Sequence, residues 1–195
     1  MPGEADSSRR SIRLKQYDYS QVGSYFFTIC AHHRQMLFAE IRDEQMKCNR
    51  SEEAVWSVWR GLPARFPMLE LDEFVVMPNH VHGILRLNPV TRTGLWPAGA
   101  ASSAPTNATP PSPTLGRILR RFKSVSAIAV NRVRNRTGAP VWQRNYYEHI
   151  IRRSEDLDEV RAYIAGNPAQ WPSDRENPRA ESSLKTGKDS IAWLR

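Results

Sequence analysis

The segment 74–85 constrains the fold of this chain more than any other part of the sequence. It is an apolar run, broken by a Pro-Asn pair, that carries two histidines separated by one valine. Apolar runs bounded by turn-forming residues are typical of paired β-strands. We therefore predict two strands joined by a turn or a bulge at the Pro-Asn pair: 69–76 and 80–87. Because side chains alternate along a strand, His80 and His82 share one face and the valine between them points into the core.

Two histidines on one strand face offer a pair of imidazole ligands to a metal ion. The polar face of a half-buried strand also carries histidines that only form hydrogen bonds, so a metal site needs a third ligand from elsewhere. The run His80 to Ile84 lacks a third alternating histidine at Ile84. This argues against a nucleotide hydrolase of the histidine-triad kind.

A short helix is predicted late in the chain, beginning at Ser154 as N-cap and ending at Gly166 and Pro168. If its last turn continues to Asn167, Tyr163 and Asn167 lie on one face with Cβ atoms about 5–6 Å apart. Taken alone, this pair is also compatible with a packing tyrosine and a C-terminal cap. Further strands are predicted at 24–31 and 141–151, and a further helix at 51–60.

Together these motifs resemble the HUH single-tyrosine transposases, most closely the REP-associated tyrosine transposases, which handle repetitive extragenic palindromes in bacteria. The likeness runs from residue 9 to about residue 171, apart from one insert. The segments that carry it are RRSIRL (9–14), YDY (17–19), GSYFFTIC (23–30), MPNHVH (77–82), VWQRNYYEHIIR (141–152) and YIAGNP (163–168). The resemblance implies a ferredoxin-like antiparallel sheet with helices packed on it, a divalent metal held by His80, His82 and Asn167, and a nucleophile at Tyr163.

The same resemblance implies a transposase-like enzyme, an endonuclease and strand transferase for single-stranded palindromic DNA. Tyr163 would attack the phosphorus and leave a 5′-phosphotyrosine, which a second 3′-hydroxyl could resolve without ATP. Tyrosine has an unperturbed pKa of about 10, so a metal must assist. We expect Mg²⁺ or Mn²⁺, because Mn²⁺ accepts nitrogen ligands and phosphate oxygens and water can complete Mg²⁺. The alternative is a hairpin-DNA-binding regulator that keeps the fold without catalysis.

Tyr146 and Tyr147 are rival nucleophiles in an extended segment. Adjacent side chains there face opposite ways, and neither tyrosine has an amide four residues on within a clear helix. We therefore prefer Tyr163. The neighbouring Glu148 and His149 are interpreted as either a local polar pair or support for the site.

Basic residues predict a polyanionic partner. The formal net charge is +8, and residues 115–136 contain seven basic residues and no acidic one. Apolar residues at helical spacing leave most of these cations on the opposite face, whereas solvated faces usually mix charge signs. We therefore predict phosphate contacts from this helix and, by the resemblance, contacts of a basic N-terminal arm with the foot of a DNA hairpin. The residues are Arg117, Arg120, Arg121 and Lys123 on the helix and Arg9, Arg10 and Arg13 in the arm.

At 195 residues the chain fits one α+β domain with extensions, and its element order favours a sheet with helices on one side. We predict four parts: a basic arm (1–16), a domain (17–171), a flexible insert rich in Pro, Ala, Ser and Thr inside it (88–114), and a polar tail (172–195). There is no apolar run of membrane-spanning length and no signal-peptide pattern at the start. We expect a cytoplasmic, nucleoid-associated monomer or homodimer. Cys30 and Cys48 form neither a disulfide framework nor a zinc signature.

Overall fold

The computed structural model describes residues 17–42, 45–89 and 113–180. The predicted arm, residues 90–112 of the predicted insert and residues 181–195 of the predicted tail lie outside this part of the chain, and with them Arg9, Arg10 and Arg13. The strands are β1 (Gly23–Cys30), β2 (Ala39–Arg42), β3 (Gln45–Cys48), β4 (Leu69–Met77), β5 (His80–Leu87) and β6 (Tyr147–Ile151). The helices are α1 (Arg50–Arg60), α2 (Leu62–Arg65), α3 (Leu115–Val133) and α4 (Ser154–Gln170).

Four strands form one antiparallel sheet in the order β4-β5-β1-β6. The elements β1, α1, β4, β5, α3 and β6 follow each other as β-α-β-β-α-β, which is the ferredoxin-like arrangement. The predicted α+β class, an antiparallel sheet with helices packed on it, is confirmed. Strands β2 and β3 form a separate hairpin that the sequence analysis did not predict.

Helices cover both faces of the sheet, so the prediction that they share one side is wrong for α4. Val81 and Leu85 of β5 join a large core that includes residues of α1 and α3. Ile84, on the opposite face of the same strand, packs with Val160 and Ile164 of α4. The physical reason lies in β5 itself, which is buried at seven of its eight positions and therefore needs cover on both faces.

The large core is aromatic where β1, β4 and α1 meet. The rings of Trp59 and Phe74 stack with their centroids 4.4 Å apart, and Phe27 lies 5.6 Å from Trp59. Gly83 of β5 makes this packing possible, since a Cβ there would come within 2.8 Å of both Phe27 and Phe74. Glycine at this position lets two rings approach the backbone of the strand that carries the histidines.

The joint after β4 is a tight turn at Pro78-Asn79, because Met77 and His80 pair directly across it. The irregularity in this hairpin lies earlier, where the register shifts between Leu71 and Phe74. A bulge of this kind changes which face each following side chain occupies. It accounts for the change from odd to even core positions along β4.

Helix α4 is longer than predicted. It begins at Ser154 with Arg153 as N-cap, so Ser154 is not the cap, and it continues through Gly166 and Pro168 to Gln170. Within a helix Pro168 removes only one backbone donor, and burial of Ile164, Asn167 and Trp171 favours continuation. Tyr163 and Asn167 therefore lie on successive turns of one helix, and the Asn167 amide donates to the Tyr163 carbonyl at 2.9 Å.

Candidate metal centre and active site

His80 and His82 point to the face of β5 that α4 covers. Both side chains are buried, with 0% and 4% of each residue exposed. Their Nε2 atoms lie 2.9 Å apart. The alternation of the strand, predicted from the sequence, therefore brings two imidazole nitrogens to one point.

Each histidine is held at its other nitrogen. The Nδ1 atom of His80 lies 2.9 Å from the side-chain oxygen of Asn79, and the Nδ1 atom of His82 lies 2.8 Å from the hydroxyl of Thr28. Thr28 stands directly opposite His82 in the pairing of β1 with β5. Partners at Nδ1 orient an imidazole so that Nε2 can act as a metal ligand.

Burial lowers the pKa of both histidines. Desolvation lowers the pKa of His82 to about 3 and that of His80 well below its usual range, with the nearby Arg34 and His82 adding to the effect at His80. Both rings are therefore neutral at physiological pH. Neutral imidazole is the form that binds a metal.

Asp174 is a site residue that the sequence analysis missed. Its carboxylate oxygen Oδ2 lies 3.9 Å from Nε2 of His80, and the ligand atoms of His80, His82 and Asp174 all lie within 4.8 Å of one another. It follows α4 in the segment that we predicted as polar tail, where no periodicity or motif marks it. Only the folded chain brings it to the histidines.

Tyr163 lies beside the histidine pair. Its ring centroid is 5.3 Å from that of His82, and the ring of Phe26 packs near both, 6.1 Å from Tyr163 and 5.5 Å from His82. Unlike the buried histidines, Tyr163 is partly exposed. Its position on α4 thus places a hydroxyl-bearing side chain at the solvent side of the candidate centre.

The rival tyrosines lie elsewhere. Tyr146 packs against the large core on the other face of the sheet. Tyr147 is on the same face as the histidines but pairs with Thr28 on the far side of β1, two strands from β5, a separation of about 10 Å at the usual strand spacing. Glu148 faces the opposite side from Tyr147, so of the interpretations left open for it, support of the histidine site does not hold.

The described donors fit a divalent cation. Two neutral imidazole nitrogens and a carboxylate oxygen converge in a buried pocket, a donor set that suits Mn²⁺ and related metals. The thiol of Cys30 pairs with Glu176, and burial raises its pKa to about 12, so it stays protonated. The residues present therefore can hold a metal ion, with no thiolate among them.

Arg117, Arg120 and Arg121 are exposed on α3. Because α3 packs with α1 on the opposite face of the sheet, this basic surface does not border the histidine pair. Lys123 differs from these arginines, since its ammonium donates to the backbone carbonyls of Gln143 and Arg144, the latter at 2.8 Å. Burial lowers the pKa of Lys123 to about 8.

In the described ranges, none of the helices is long and apolar enough to cross a membrane.

Comparison with known proteins places the chain in a family. No protein-family model matches it. A Haemophilus influenzae protein of uncharacterized function is 40% identical over 169 residues, which are 86% of this chain and 92% of that protein. A solved REP-associated tyrosine transposase bound to a REP hairpin is similar with a TM-score of 0.53 and 19% identity, over 81% of this chain and 73% of that chain. A candidate transposase from Deinococcus radiodurans R1 aligns with a TM-score of 0.42 and 17% identity, over 79% of this chain and 95% of that chain.

The identity to the Haemophilus influenzae protein is high over nearly the whole of both chains, whereas the transposase likeness is one of fold. The chain therefore belongs to the same family as the Haemophilus influenzae protein and shares the fold of the REP-associated tyrosine transposase.

Proposed function

We propose that this protein is a metal-dependent enzyme that cleaves and rejoins single-stranded DNA through Tyr163. The observation that carries the proposal is the convergence of Tyr163 with the paired Nε2 atoms of His80 and His82 on the α4 face of the sheet. A weak hydroxyl nucleophile beside a cation site is the arrangement that metal-assisted phosphodiester cleavage needs. The shared fold with a transposase agrees with this chemistry.

The cation would be Mg²⁺ or Mn²⁺, held by His80 and His82 with Asn167 as the proposed third ligand. When bound, it would supply charge stabilisation at the scissile phosphate. Asp174 is a further oxygen donor at the same point and competes with Asn167 for this role. Asn167 already uses its amide nitrogen on the Tyr163 carbonyl, so its side-chain oxygen is the atom available as a ligand.

In the proposed reaction the Tyr163 hydroxyl oxygen attacks the phosphorus and gives up its proton. The bond from phosphorus to the 3′-oxygen breaks, the 3′-hydroxyl leaves with a proton, and a 5′-phosphotyrosine forms. A second 3′-hydroxyl attacks this linkage, rejoins DNA and returns the tyrosine hydroxyl. Each step exchanges one phosphate ester bond for another, so no ATP is consumed.

The proposed substrate is single-stranded DNA that folds into hairpins of palindromic repeats. The similar transposase was solved with a REP hairpin, and this chain has a net charge of +8 with an exposed basic surface on α3. We propose that Arg117, Arg120 and Arg121 hold the hairpin backbone and that the arm residues Arg9, Arg10 and Arg13 contact its foot. A nucleoid-associated cytoplasmic protein, monomeric or homodimeric, fits such a substrate.

The decisive test is capture of the covalent intermediate. End-labelled hairpin DNA with a single-stranded foot is incubated with the protein and Mn²⁺, and a labelled band of protein mass is sought on a denaturing gel. We expect Tyr163→Phe to abolish the band while leaving hairpin affinity nearly unchanged, since one hydroxyl is lost. Tyr147→Phe is the matched control and should keep the band. A protein that binds hairpins tightly but never forms the band would be the non-catalytic regulator instead.

A further inference from the structure

The protonation of His80 is fixed by Asn79. The amide nitrogen of Asn79, a fully buried residue, donates to the carbonyl of Glu176 at 2.7 Å and to that of Arg34 at 3.4 Å. These bonds orient the amide so that its oxygen faces Nδ1 of His80 at 2.9 Å. An amide oxygen only accepts, so Nδ1 of His80 carries the hydrogen, and Nε2 of the neutral ring has the lone pair. His80 is thus already in the tautomer that a metal requires.

His82 is in a different situation before a metal binds. Its Nε2 atom lies 2.9 Å from Nε2 of His80, and two lone pairs facing each other at that distance would repel. The carboxylate of Asp174 is 3.9 Å from the same His80 atom, outside hydrogen-bond distance. The network therefore gives His82 a hydrogen on Nε2, donated to His80, and a lone pair on Nδ1, which accepts from the Thr28 hydroxyl at 2.8 Å.

We propose that Thr28 is the positioning residue that lets His82 change tautomer when the metal binds. This inference rests on the proposed metal site. To bind a cation through Nε2, His82 must lose the hydrogen there and gain one on Nδ1, so the ring stays neutral and the net proton count is unchanged. Nδ1 then needs an acceptor in the same place where it had a donor. The hydroxyl of Thr28 serves both states by turning its hydrogen.

The position of Thr28 is set by the sheet. It pairs directly with His82 across β1 and β5, and its β-branched side chain suits a strand. Neither hydrogen-bonding state survives if the hydroxyl is replaced by a methyl group of the same shape. Thr28→Val therefore removes the device and leaves the strand, whereas Thr28→Ser keeps the hydroxyl.

The test measures Mn²⁺ affinity by calorimetry and the histidine tautomers by nitrogen-15 NMR, with Zn²⁺ as the diamagnetic probe. We expect Thr28→Val to weaken Mn²⁺ affinity by about tenfold or more, as removal of a hydrogen-bond partner of a metal-binding histidine commonly does, and Thr28→Ser to stay within about twofold. In the wild-type protein without metal, His80 should carry its hydrogen on Nδ1 and His82 on Nε2. With Zn²⁺, both rings should carry it on Nδ1.

A His82 ring with its hydrogen on Nδ1 before metal is added would overturn the proposal, and so would Mn²⁺ affinity of Thr28→Val equal to that of wild type. Either result leaves the metal centre itself in place. Failure of wild-type protein to bind Mn²⁺ at all, with His82→Ala giving the same blank titration, would overturn both this inference and the proposed function. Thermal unfolding of the two Thr28 variants confirms that they are compared as folded proteins.

Discussion

The guanidinium of Arg161 on α4 forms two parallel hydrogen bonds with the carboxylate of Asp72 on β4. The Nε atom lies 2.9 Å from Oδ1, and a terminal nitrogen lies 2.7 Å from Oδ2. Asp72 stands in the bulge of β4, before the register resumes at Phe74. Because Tyr163 follows Arg161 by two residues, this fork ties the helix that carries the proposed nucleophile to the sheet that carries the histidines.

Asp72→Asn should loosen this connection. We expect the free energy of unfolding to fall by about 1–2 kcal/mol, the range for charged hydrogen bonds reduced for partial exposure, and single-turnover formation of the covalent product to slow. Asp158→Asn is the matched control, because Asp158 contacts the same guanidinium at 3.0 Å but its side chain is 75% exposed. Urea unfolding and a cleavage time course measure both effects. Equal effects of the two variants would mean that the fork does not anchor α4.

The buried histidines predict an acid-sensitive fold. Burial lowers the pKa of His82 from 6.5 to about 3. Below about pH 6.5 the unfolded chain binds a proton at His82 that the folded chain does not, so stability falls progressively as the pH drops towards 3. In chelator-treated protein, we expect His82→Gln to reduce the loss of unfolding free energy between pH 7 and pH 5, since glutamine does not titrate. The same pH dependence in variant and wild type would contradict the buried neutral ring.

The ligand set predicts a graded loss of metal binding. His80→Ala and His82→Ala should each weaken Mn²⁺ affinity by more than the 10- to 100-fold that is typical for supporting residues, and cleavage should fall in parallel. Asn167→Ala should weaken both as well if its oxygen is the third ligand. Asp174→Asn, which preserves size, separates the two oxygen donors. Calorimetric titration of each variant decides which oxygen binds, and unchanged affinity in both histidine variants would remove the basis of the site.

The basic surface of α3 predicts a salt effect without a chemical one. Replacing Arg117, Arg120 and Arg121 by glutamine should weaken hairpin binding and reduce the slope of log affinity against log salt by about 0.7 per lost contact. Cleavage at saturating protein should change much less, because this surface lies on the other face of the sheet from Tyr163. Lys123→Met is the control. It removes hydrogen bonds to two carbonyls, so it should lower stability more than the salt slope.

Local patterns were sufficient to predict the elements that carry the site. Alternation along β5 places His80 and His82 on one face, and the four-residue spacing on α4 relates Tyr163 to Asn167. The boundaries were less accurate at Gly166 and Pro168, where burial of neighbouring side chains overrides two residues that usually end helices. The metal-ligand and nucleophile roles of these residues stay predictions.

Relationships between distant segments could not be read from the sequence. The opposite faces occupied by α3 and α4 depend on the burial of both sides of β5, and the approach of Asp174 to His80 depends on how the chain turns after Trp171. Thr28 likewise carries no signal of its own. Its partner is 54 positions away, and only the register of β1 with β5 brings the two together.

That register also has a consequence for folding. Consecutive residues of β1 serve different cores, with Phe26 on the face of α4 and Phe27 on the face of α1 and α3. A slip of one residue would exchange the two faces, present Phe27 to the histidines and remove the hydroxyl from His82. The same slip would bury Thr28 in the aromatic core. Misaligned β1 is therefore penalised twice, and a chain stable enough to persist is one in which the donors of the candidate centre are already correctly aligned.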